Sequence, residues 1–121
     1  MSDDDTPIYQ RGDVVYGDDP YKGDEDARPW LIISNHDGTP FHGDQYIALS
    51  LTTKTWMDGL IDIDEEAWIR GGTPADSRLI PWAVQSISSD DIDYWQGRLV
   101  ERTVTTATEF LIDYLRPNER D

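Results

Sequence analysis

The sequence predicts a mainly β domain, a small and mostly antiparallel barrel or curled sheet, with one helix packed on it at the C-terminal end. Short apolar segments separated by Gly, Asp and Pro recur through the first two thirds of the chain, as in strands joined by turns. From Glu101 the apolar residues recur every three or four positions, which indicates a helix. The 121 residues are enough for one domain with a modest core.

Six segments are predicted to be strands: 13–16, 30–34, 46–51, 60–63, 77–80 and 84–87. The segment GLIDID alternates apolar with acidic residues, which suits a half-buried strand. The segment DEEAWIRGG predicts one helical turn that ends at Gly71 and Gly72. The segment SRLIPWAV predicts a barrel strand with Pro81 at an edge of the sheet.

The period changes in the C-terminal third of the chain. In SSDDID, Ser89 or Asp90 is expected to cap a helix, with acidic residues in its first turn. YWQGRLV fits a turn followed by a short strand at 98–100. The closing helix is expected to stop at Pro117 and to use its apolar stripe for core or dimer packing: Val104, Ala107, Leu111, Tyr114 and Leu115. We therefore expect a mobile acidic tail at 1–9, one domain at 10–116 and a tail at 117–121.

The chain is strongly acidic, with a formal net charge of −15. Such a charge fits either a disordered or nucleic-acid-mimicking chain, or a folded domain with a solvated acidic coat. Five Trp and the apolar segments favour the folded domain. Scarce Lys, retained Arg and abundant Asp are typical of proteins from salt-accumulating cells, so we expect a halophilic archaeon as the source.

Several site classes are disfavoured by composition. There are no Cys, so neither a disulfide nor a thiolate metal site is expected. His36 and His42, with Asp37 or Asp44, are too weak a pattern to predict a metal site, and no cofactor is expected. No apolar run is long enough for a membrane span, and the N-terminus has no apolar segment, so we expect a cytoplasmic protein that contacts no membrane.

One N-terminal block resembles the start of the MazF/PemK toxins of toxin–antitoxin systems. The block matches that family's pattern in order and nearly in spacing at these positions: Arg11, Gly12, Asp13, Val14, Asp18 or Asp19, Pro20, Gly23, Glu25, Arg28, Pro29, Leu31, Ile32 and Ile33. Further along, QYIALSLTTK is similar to a family strand that ends in threonine, here Thr52. The resemblance covers roughly residues 10 to 116, and its first block is the specific part.

The resemblance implies an SH3-like barrel, a homodimer and an endoribonuclease toxin that cuts single-stranded mRNA and is neutralised by a cognate antitoxin. In such enzymes the ribose 2′-hydroxyl attacks the adjacent phosphate without a metal ion, leaving a 2′,3′-cyclic phosphate and a 5′-hydroxyl. The family's arginine before proline and its strand-end threonine fall here at Arg28 and Thr52.

The chemistry of these residues agrees with that role. Guanidinium binds phosphoryl oxygens through several N–H donors and stays charged, and Pro29 biases Arg28 toward an extended backbone. The Thr52 hydroxyl can orient the 2′-hydroxyl or a phosphate oxygen. Glu25 or Asp24 is a candidate proton acceptor. The alternative is that Arg28 only neutralises neighbouring acids; the other candidate substrate-binding residues are Pro29, Thr53, Lys54, Trp56, Arg78 and Asp24.

Three departures from the family pattern stand out. Trp82 and Gln85 lie near positions where many members carry an acid and an arginine, so we expect Arg78 to replace the missing cation or the site to be weakened. The loop ending EDARP lacks a glycine that the family often has. The acidic surface is unusual for an RNA-binding protein, so binding should depend on base stacking, for which the candidates are Tyr21, Trp30, Trp56 and Trp82.

Two other functions fit the same fold. A non-catalytic barrel of this type would bind RNA or protein without cutting, and the acidic balance and the changed later strand favour it. A gyrase poison of the CcdB type would need a Trp–Gly feature at the end of the C-terminal helix. This chain ends YLRPNERD instead.

Overall fold

Seven antiparallel strands form one curled sheet in the residues that the computed structural model describes, which are 8–19, 23–41, 43–54 and 56–117. The strands are β1 (Asp13–Asp19), β2 (Gly23–Ile32), β3 (Gln45–Thr52), β4 (Ile61–Asp62), β5 (Trp68–Gly71), β6 (Arg78–Ser88) and β7 (Ile92–Leu99), followed by helix α1 (Glu101–Leu115). Their order in the sheet is β4-β6-β3-β2-β1-β7-β5. This confirms the predicted fold class, a small mainly β barrel-like sheet with a C-terminal helix.

The central strands β2 and β3 are buried on both faces of the sheet. Trp30, Leu31 and Ile32 follow one another in β2 and are at most 1% exposed. Because successive strand residues point to opposite faces, these three side chains must enter two different cores. Leu31 packs in the cluster that receives Val104 from α1, whereas Trp30 and Ile32 pack in a second cluster with Tyr46.

The acidic stretch before Arg28 is not the loop that the sequence suggested. Strand β2 already begins at Gly23, seven residues before the predicted start at 30, and Asp19 of β1 pairs with Gly23. The pairing with β1 supplies the backbone hydrogen-bond partners that make the extended conformation favourable despite the run of carboxylates. The side chains of 24–26 lie outside the described part of the structure.

Strand β6 is one continuous strand where the sequence predicted two. Its pairing with β3 shifts between Leu49↔Val84 and Leu51↔Leu79, which leaves extra residues on β6 around Pro81. β6 lies between β4 and β3, but β4 pairs only with Arg78 and Leu79, so Pro81 lies at a local edge on that side. The missing N–H of proline is tolerated because Pro81 lies within this irregular segment and beyond the residues that pair with β4.

Two predicted turns also differ from the structure. The segment Glu65–Ala67 is a short 3-10 helix, and the chain then continues into β5 instead of remaining helical. Ser88, rather than Ser89 or Asp90, caps the 3-10 helix Ser89–Asp91 by accepting the N–H of Asp90. The predicted turn in YWQGRLV is part of β7, because pairing with β1 and β5 holds this segment extended.

Helix α1 begins at Glu101 and ends before Pro117, as predicted. Its stripe divides into two parts: Val104 and Ala107 are buried in the core, whereas Leu115 is 74% exposed. No helix in the described residues is long and apolar enough to cross a membrane.

The Arg11-Gly12-Asp13 block fastens β1 to its neighbours. The buried Asp13 carboxylate accepts hydrogen bonds from Arg98 Nη1 (3.0 Å), Trp95 Nε1 (3.2 Å) and the backbone N–H of Gln10 (2.7 Å). These donors come from β7 and from the segment before β1, so one carboxylate joins both to the strand. The block that carries the resemblance therefore contributes to folding.

Arg11 connects the same block to the start of α1. Its guanidinium donates to the Glu101 carboxylate at 2.9 and 3.1 Å and to the carbonyl of Ile33 at 3.0 Å. The hydrogen bonds from Arg11 hold the pKa of Glu101 below its usual value. Tyr9, which the sequence places in the N-terminal tail, donates its backbone N–H to the Tyr46 hydroxyl at 3.1 Å.

Replacing Asp13 by Asn should lower the free energy of unfolding by about 1–3 kcal/mol, because the shape is kept but Arg98 loses its charged partner. Urea unfolding followed by circular dichroism measures the change. The control is Asp93→Asn, which changes an exposed residue of β7 and should alter the free energy of unfolding by less than about 0.5 kcal/mol. Equal effects of the two substitutions would contradict the role given to Asp13.

Candidate functional site

A cleft of about 390 Å³ opens between the start of the buried part of β2 and the end of β3. It brings together five of the residues that the sequence singled out, and they share its wall with Ala27, Leu51, Met57, Ser77 and Ile80. The five predicted residues are Arg28, Pro29, Thr52, Thr53 and Lys54.

Strand register explains why Arg28 and Thr52 meet. Trp30 of β2 lies opposite Ser50 of β3 in an antiparallel pair. Moving two residues back along β2 and two forward along β3 leads to Arg28 and Thr52 on the same side of the sheet. Residues 24 positions apart in the chain are therefore neighbours because of the β2–β3 pairing.

Polar groups of β1 and β3 are among the partners of the Arg28 guanidinium. Nη1 lies 3.4 Å from Ser50 Oγ, and Nε lies 3.8 Å from Asp19 Oδ2. About a third of the Arg28 side chain is exposed, whereas the Asp19 side chain is only 12% exposed. Sequence reasoning had named the acids at 24–26 as the charge partners of Arg28, and it did not identify Asp19 or Ser50 for this role.

The Thr52 hydroxyl has a fixed orientation at the end of β3. Its Oγ1 accepts the backbone N–H of Lys54 at 3.1 Å. A hydroxyl that accepts one hydrogen bond still has its own proton to donate. The side chain can therefore act as a donor toward a group bound in the cleft.

The chain after β3 carries a cation and an exposed aromatic ring. Lys54 Nζ lies 5.9 Å from the centre of the Trp56 ring, and Trp56 is 74% exposed. Met57, the next residue, lines the cleft. The expectation that Trp56 is available for stacking agrees with this exposure.

Arg78 lies outside the cleft. Its Nε donates to Asp62 Oδ1 at 2.7 Å, and it lines a neighbouring cavity of about 510 Å³ together with Asp64, Glu65 and Asp76. Ser77 lies in the walls of both cavities. Strand β6 sets Arg78 opposite Thr52 of β3 on one side and opposite Asp62 of β4 on the other, and its guanidinium is engaged by Asp62.

Other predicted residues divide by burial. Trp30 is 1% exposed, so its expected role as a stacking surface is wrong: it fills the second core cluster. Trp82 is 44% exposed, and its ring packs edge-on against Tyr114 of α1 at 6.2 Å. Gln85 is partly buried in β6 opposite Ala48.

Some expectations fall outside the described structure. These are the side chains of Asp24, Glu25 and His36, and all of Tyr21 and His42. The backbone of Asp24 and Glu25 belongs to β2, the strand that carries Arg28. In the described part of the chain, no group of three or more His, Cys, Asp and Glu side chains is placed to hold a metal ion.

Ser50 and Asp19 are the two site residues that the sequence analysis overlooked. Ser50 lies two residues before Thr52, so the period of a strand places both on one face. Asp19 was part of the quoted block but had no assigned role, because its approach to Arg28 depends on the pairing of β1 with β2, which sets Gly17 opposite Arg28.

No protein-family profile and no curated protein sequence matches this chain. Its structure is similar to many solved protein chains, which include three from mycobacteria. One is an endoribonuclease from a mycobacterial species in complex with its cognate antitoxin: 22% identity over 93% of this chain and 99% of that chain, TM-score 0.62. A second mycobacterial endoribonuclease is 20% identical over 94% of this chain and 100% of that chain, with a TM-score of 0.59. The third, Mycobacterium tuberculosis toxin MazF-mt6, is 18% identical over 84% of this chain and 93% of that chain, with a TM-score of 0.59. Similarity at this identity establishes a shared fold.

Proposed function

We propose that this protein is an endoribonuclease toxin that cleaves single-stranded mRNA at selected sequences and is neutralised by a cognate antitoxin protein. The observation that carries the proposal is the meeting of Arg28 and Thr52 in one open cleft. The fold supports it, because two of the similar structures are described as endoribonucleases, one of them in complex with its antitoxin.

In the proposed reaction the 2′-oxygen of one ribose forms a bond to the adjacent phosphorus while the bond from phosphorus to the 5′-oxygen breaks. The products are a 2′,3′-cyclic phosphate and a 5′-hydroxyl. The nucleophile belongs to the substrate, so no metal-activated water is needed. Arg28 stabilises the negative charge that develops on the phosphoryl oxygens, since its N–H donors are already held at the cleft.

The proton of the attacking hydroxyl needs an acceptor, and the leaving oxygen needs a proton. We assign the acceptor role to Glu25, which belongs to the same strand as Arg28, while solvent water protonates the leaving oxygen. The Thr52 hydroxyl donates a hydrogen bond to a phosphate oxygen and thereby orients the scissile group. We also assign Asp24, on the same strand, a role in binding the substrate.

Binding of RNA to an acidic protein requires short-range contacts. Pro29 and Thr53 form part of the cleft wall, Lys54 supplies a positive charge, and Trp56 offers an exposed ring on which a base can stack. Stacking depends little on salt, whereas attraction between separated charges is screened within about 3 Å at 1 M ionic strength.

Cleavage of an end-labelled single-stranded RNA, at about 2 M KCl and with EDTA, tests the proposal where charges are screened. Arg28→Ala should lower kcat roughly 100- to 1000-fold, as expected for loss of a charge-stabilising donor. Glu25→Gln should lower kcat while RNA binding is retained. Trp56→Ala should instead raise KM, because one stacked base contributes about 1–3 kcal/mol to binding.

The matched control is Arg116→Ala, which removes an exposed arginine that pairs with Asp113 at the end of α1. Its cleavage should equal that of the unmodified protein. Intact RNA, with the fold verified by circular dichroism in the same salt, would sink the proposal. Cleavage that persists in Arg28→Ala would remove Arg28 from the mechanism.

We infer a salt-accumulating cell, a halophilic archaeon, as the source. Five described arginines form ion pairs, yet the formal net charge of the whole chain is −15, so repulsion among carboxylates opposes folding. Raising KCl from about 0.1 to about 2 M shortens the screening length from about 10 Å to below about 3 Å. The thermal unfolding midpoint should therefore rise, and a midpoint that stays constant or falls would count against this origin.

We also propose that the toxin is a homodimer. Large apolar side chains are exposed on α1 and on β6 beside it, with Leu115 the most exposed at 74%: Trp82, Phe110, Tyr114 and Leu115. Contact with a second copy would remove them from water. Light scattering should give twice the chain mass of 13.9 kDa, and Leu115→Asp should shift it toward one chain. A single-chain mass for the unmodified protein would exclude the dimer.

A second candidate is a non-catalytic barrel that binds RNA or protein. The pairing of Arg78 favours it, because the guanidinium of that arginine is engaged by Asp62 outside the cleft. The same assay separates the two functions: RNA that binds but remains intact identifies the non-catalytic protein.

A further inference from the structure

We propose that Asp19 is a positioning residue for Arg28, which holds the guanidinium at the cleft in the orientation that phosphoryl transfer requires. The inference rests on the proposed ribonuclease function and adds a residue to it. Asp19 lies at the end of β1 and is absent from the cleft wall, so it acts on substrate only through Arg28.

The backbone of β1 explains how Asp19 reaches Arg28. Gly17 pairs with Arg28, but the next pair is Asp19 with Gly23, so the register shifts between Gly17 and Asp19. The chain at the start of β7 approaches Gly17 closely, because a Cβ at Gly17 would collide with the carbonyl oxygen of Asp91. The extra residues of the register shift, 24–27, belong to β2, so Asp19 follows Gly17 with the ordinary period of a strand, and its side chain lies on the same face of the sheet as Arg28.

Side chains from two other strands contact the guanidinium among the described residues. Asp19 of β1 approaches Nε at 3.8 Å, and Ser50 of β3 approaches Nη1 at 3.4 Å. The Ser50 hydroxyl donates to the Leu51 carbonyl at 3.2 Å, which turns an acceptor lone pair toward Arg28. Because the Asp19 side chain is 12% exposed, water screens its attraction to Arg28 less than it would at the open surface.

This arrangement affects catalysis through orientation. A free arginine side chain samples many rotamers, and ordering it during the reaction costs entropy. A charge that holds it beforehand removes this cost from the activation barrier. The 3.8 Å separation is long for a hydrogen bond, and such contacts shorten when substrate is bound.

The opposite interpretation is that Asp19 merely neutralises Arg28. The two interpretations give opposite signs for the same substitution, because Asp19→Asn removes a negative charge near the phosphate. If Asp19 only neutralised Arg28, the variant would bind RNA more tightly and cleave faster. If Asp19 positions Arg28, the variant binds at least as tightly but cleaves more slowly.

The test compares Asp19→Asn, Asp19→Glu and the unmodified protein in the cleavage assay, with binding measured on an RNA that has hydrogen in place of the scissile 2′-hydroxyl. Asp19→Asn should lower kcat about 10- to 100-fold, the scale expected for small misplacement of a catalytic group, with KM and Kd unchanged or lower. Asp19→Glu should recover part of kcat, and the shape of the pH–rate profile should stay the same. Asp113→Asn, which breaks a comparable 3.6 Å ion pair with Arg116, should change nothing.

Each contrary outcome has its own meaning. An unchanged or faster Asp19→Asn variant overturns the inference while leaving the ribonuclease function intact, provided that Arg28→Ala is inactive. Loss of the acidic limb of the pH–rate profile in Asp19→Asn would make Asp19 a proton acceptor and likewise overturn positioning. If the unmodified protein leaves RNA intact, the proposed function fails and the inference fails with it. Circular dichroism verifies the fold of each variant, and Asp19→Glu keeps the charge if Asp19→Asn unfolds.

Discussion

The register of β2 against β3 is the constraint on which the rest of the structure depends. Trp30 pairs with Ser50, and the successive residues Trp30, Leu31 and Ile32 of β2 are buried alternately in two different cores. A slip of one residue would exchange the two faces and place each core's side chains in the wrong cluster. Two-sided burial therefore fixes the register, and the register in turn places Arg28 beside Thr52 in the cleft.

The sequence predicts the fold class and the helix, because strand period and helix period are local signals, whereas the choice of Arg28 and Thr52 is implied by the family resemblance. It does not predict that the acidic segment before Arg28 is a strand, since β1 supplies the hydrogen bonds that make it one. Asp19 and Arg78 show the same limitation, because the partners of both depend on strand pairing that the sequence does not reveal. Asp19 lies near Arg28 because β1 pairs with β2, and Arg78 lies opposite Thr52 but its guanidinium is engaged by Asp62.

The N-terminal block combines folding and chemistry in one stretch of sequence. Arg11 and Asp13 connect β1 to α1 and β7, whereas Arg28 faces the cleft. A resemblance that rests on such a block predicts the fold more firmly than the activity, because several of its positions are required for the sheet to form. The activity depends on the smaller set of residues that the sheet then brings together.

The two sides of the cleft differ in how deeply the adjoining residues are buried. Arg28 and Thr52 lie on strands that become buried within two residues, at Trp30 and Leu51. The segment of Thr53, Lys54 and Trp56 lies beyond the sheet and faces solvent. Regions with few buried contacts open at lower free energy than core strands. In the proposed ribonuclease, substitutions on the second side should therefore change which RNA sequences bind without disturbing the geometry of Arg28 and Thr52. Such a cleft would combine a rigid wall with a wall that tolerates substitution.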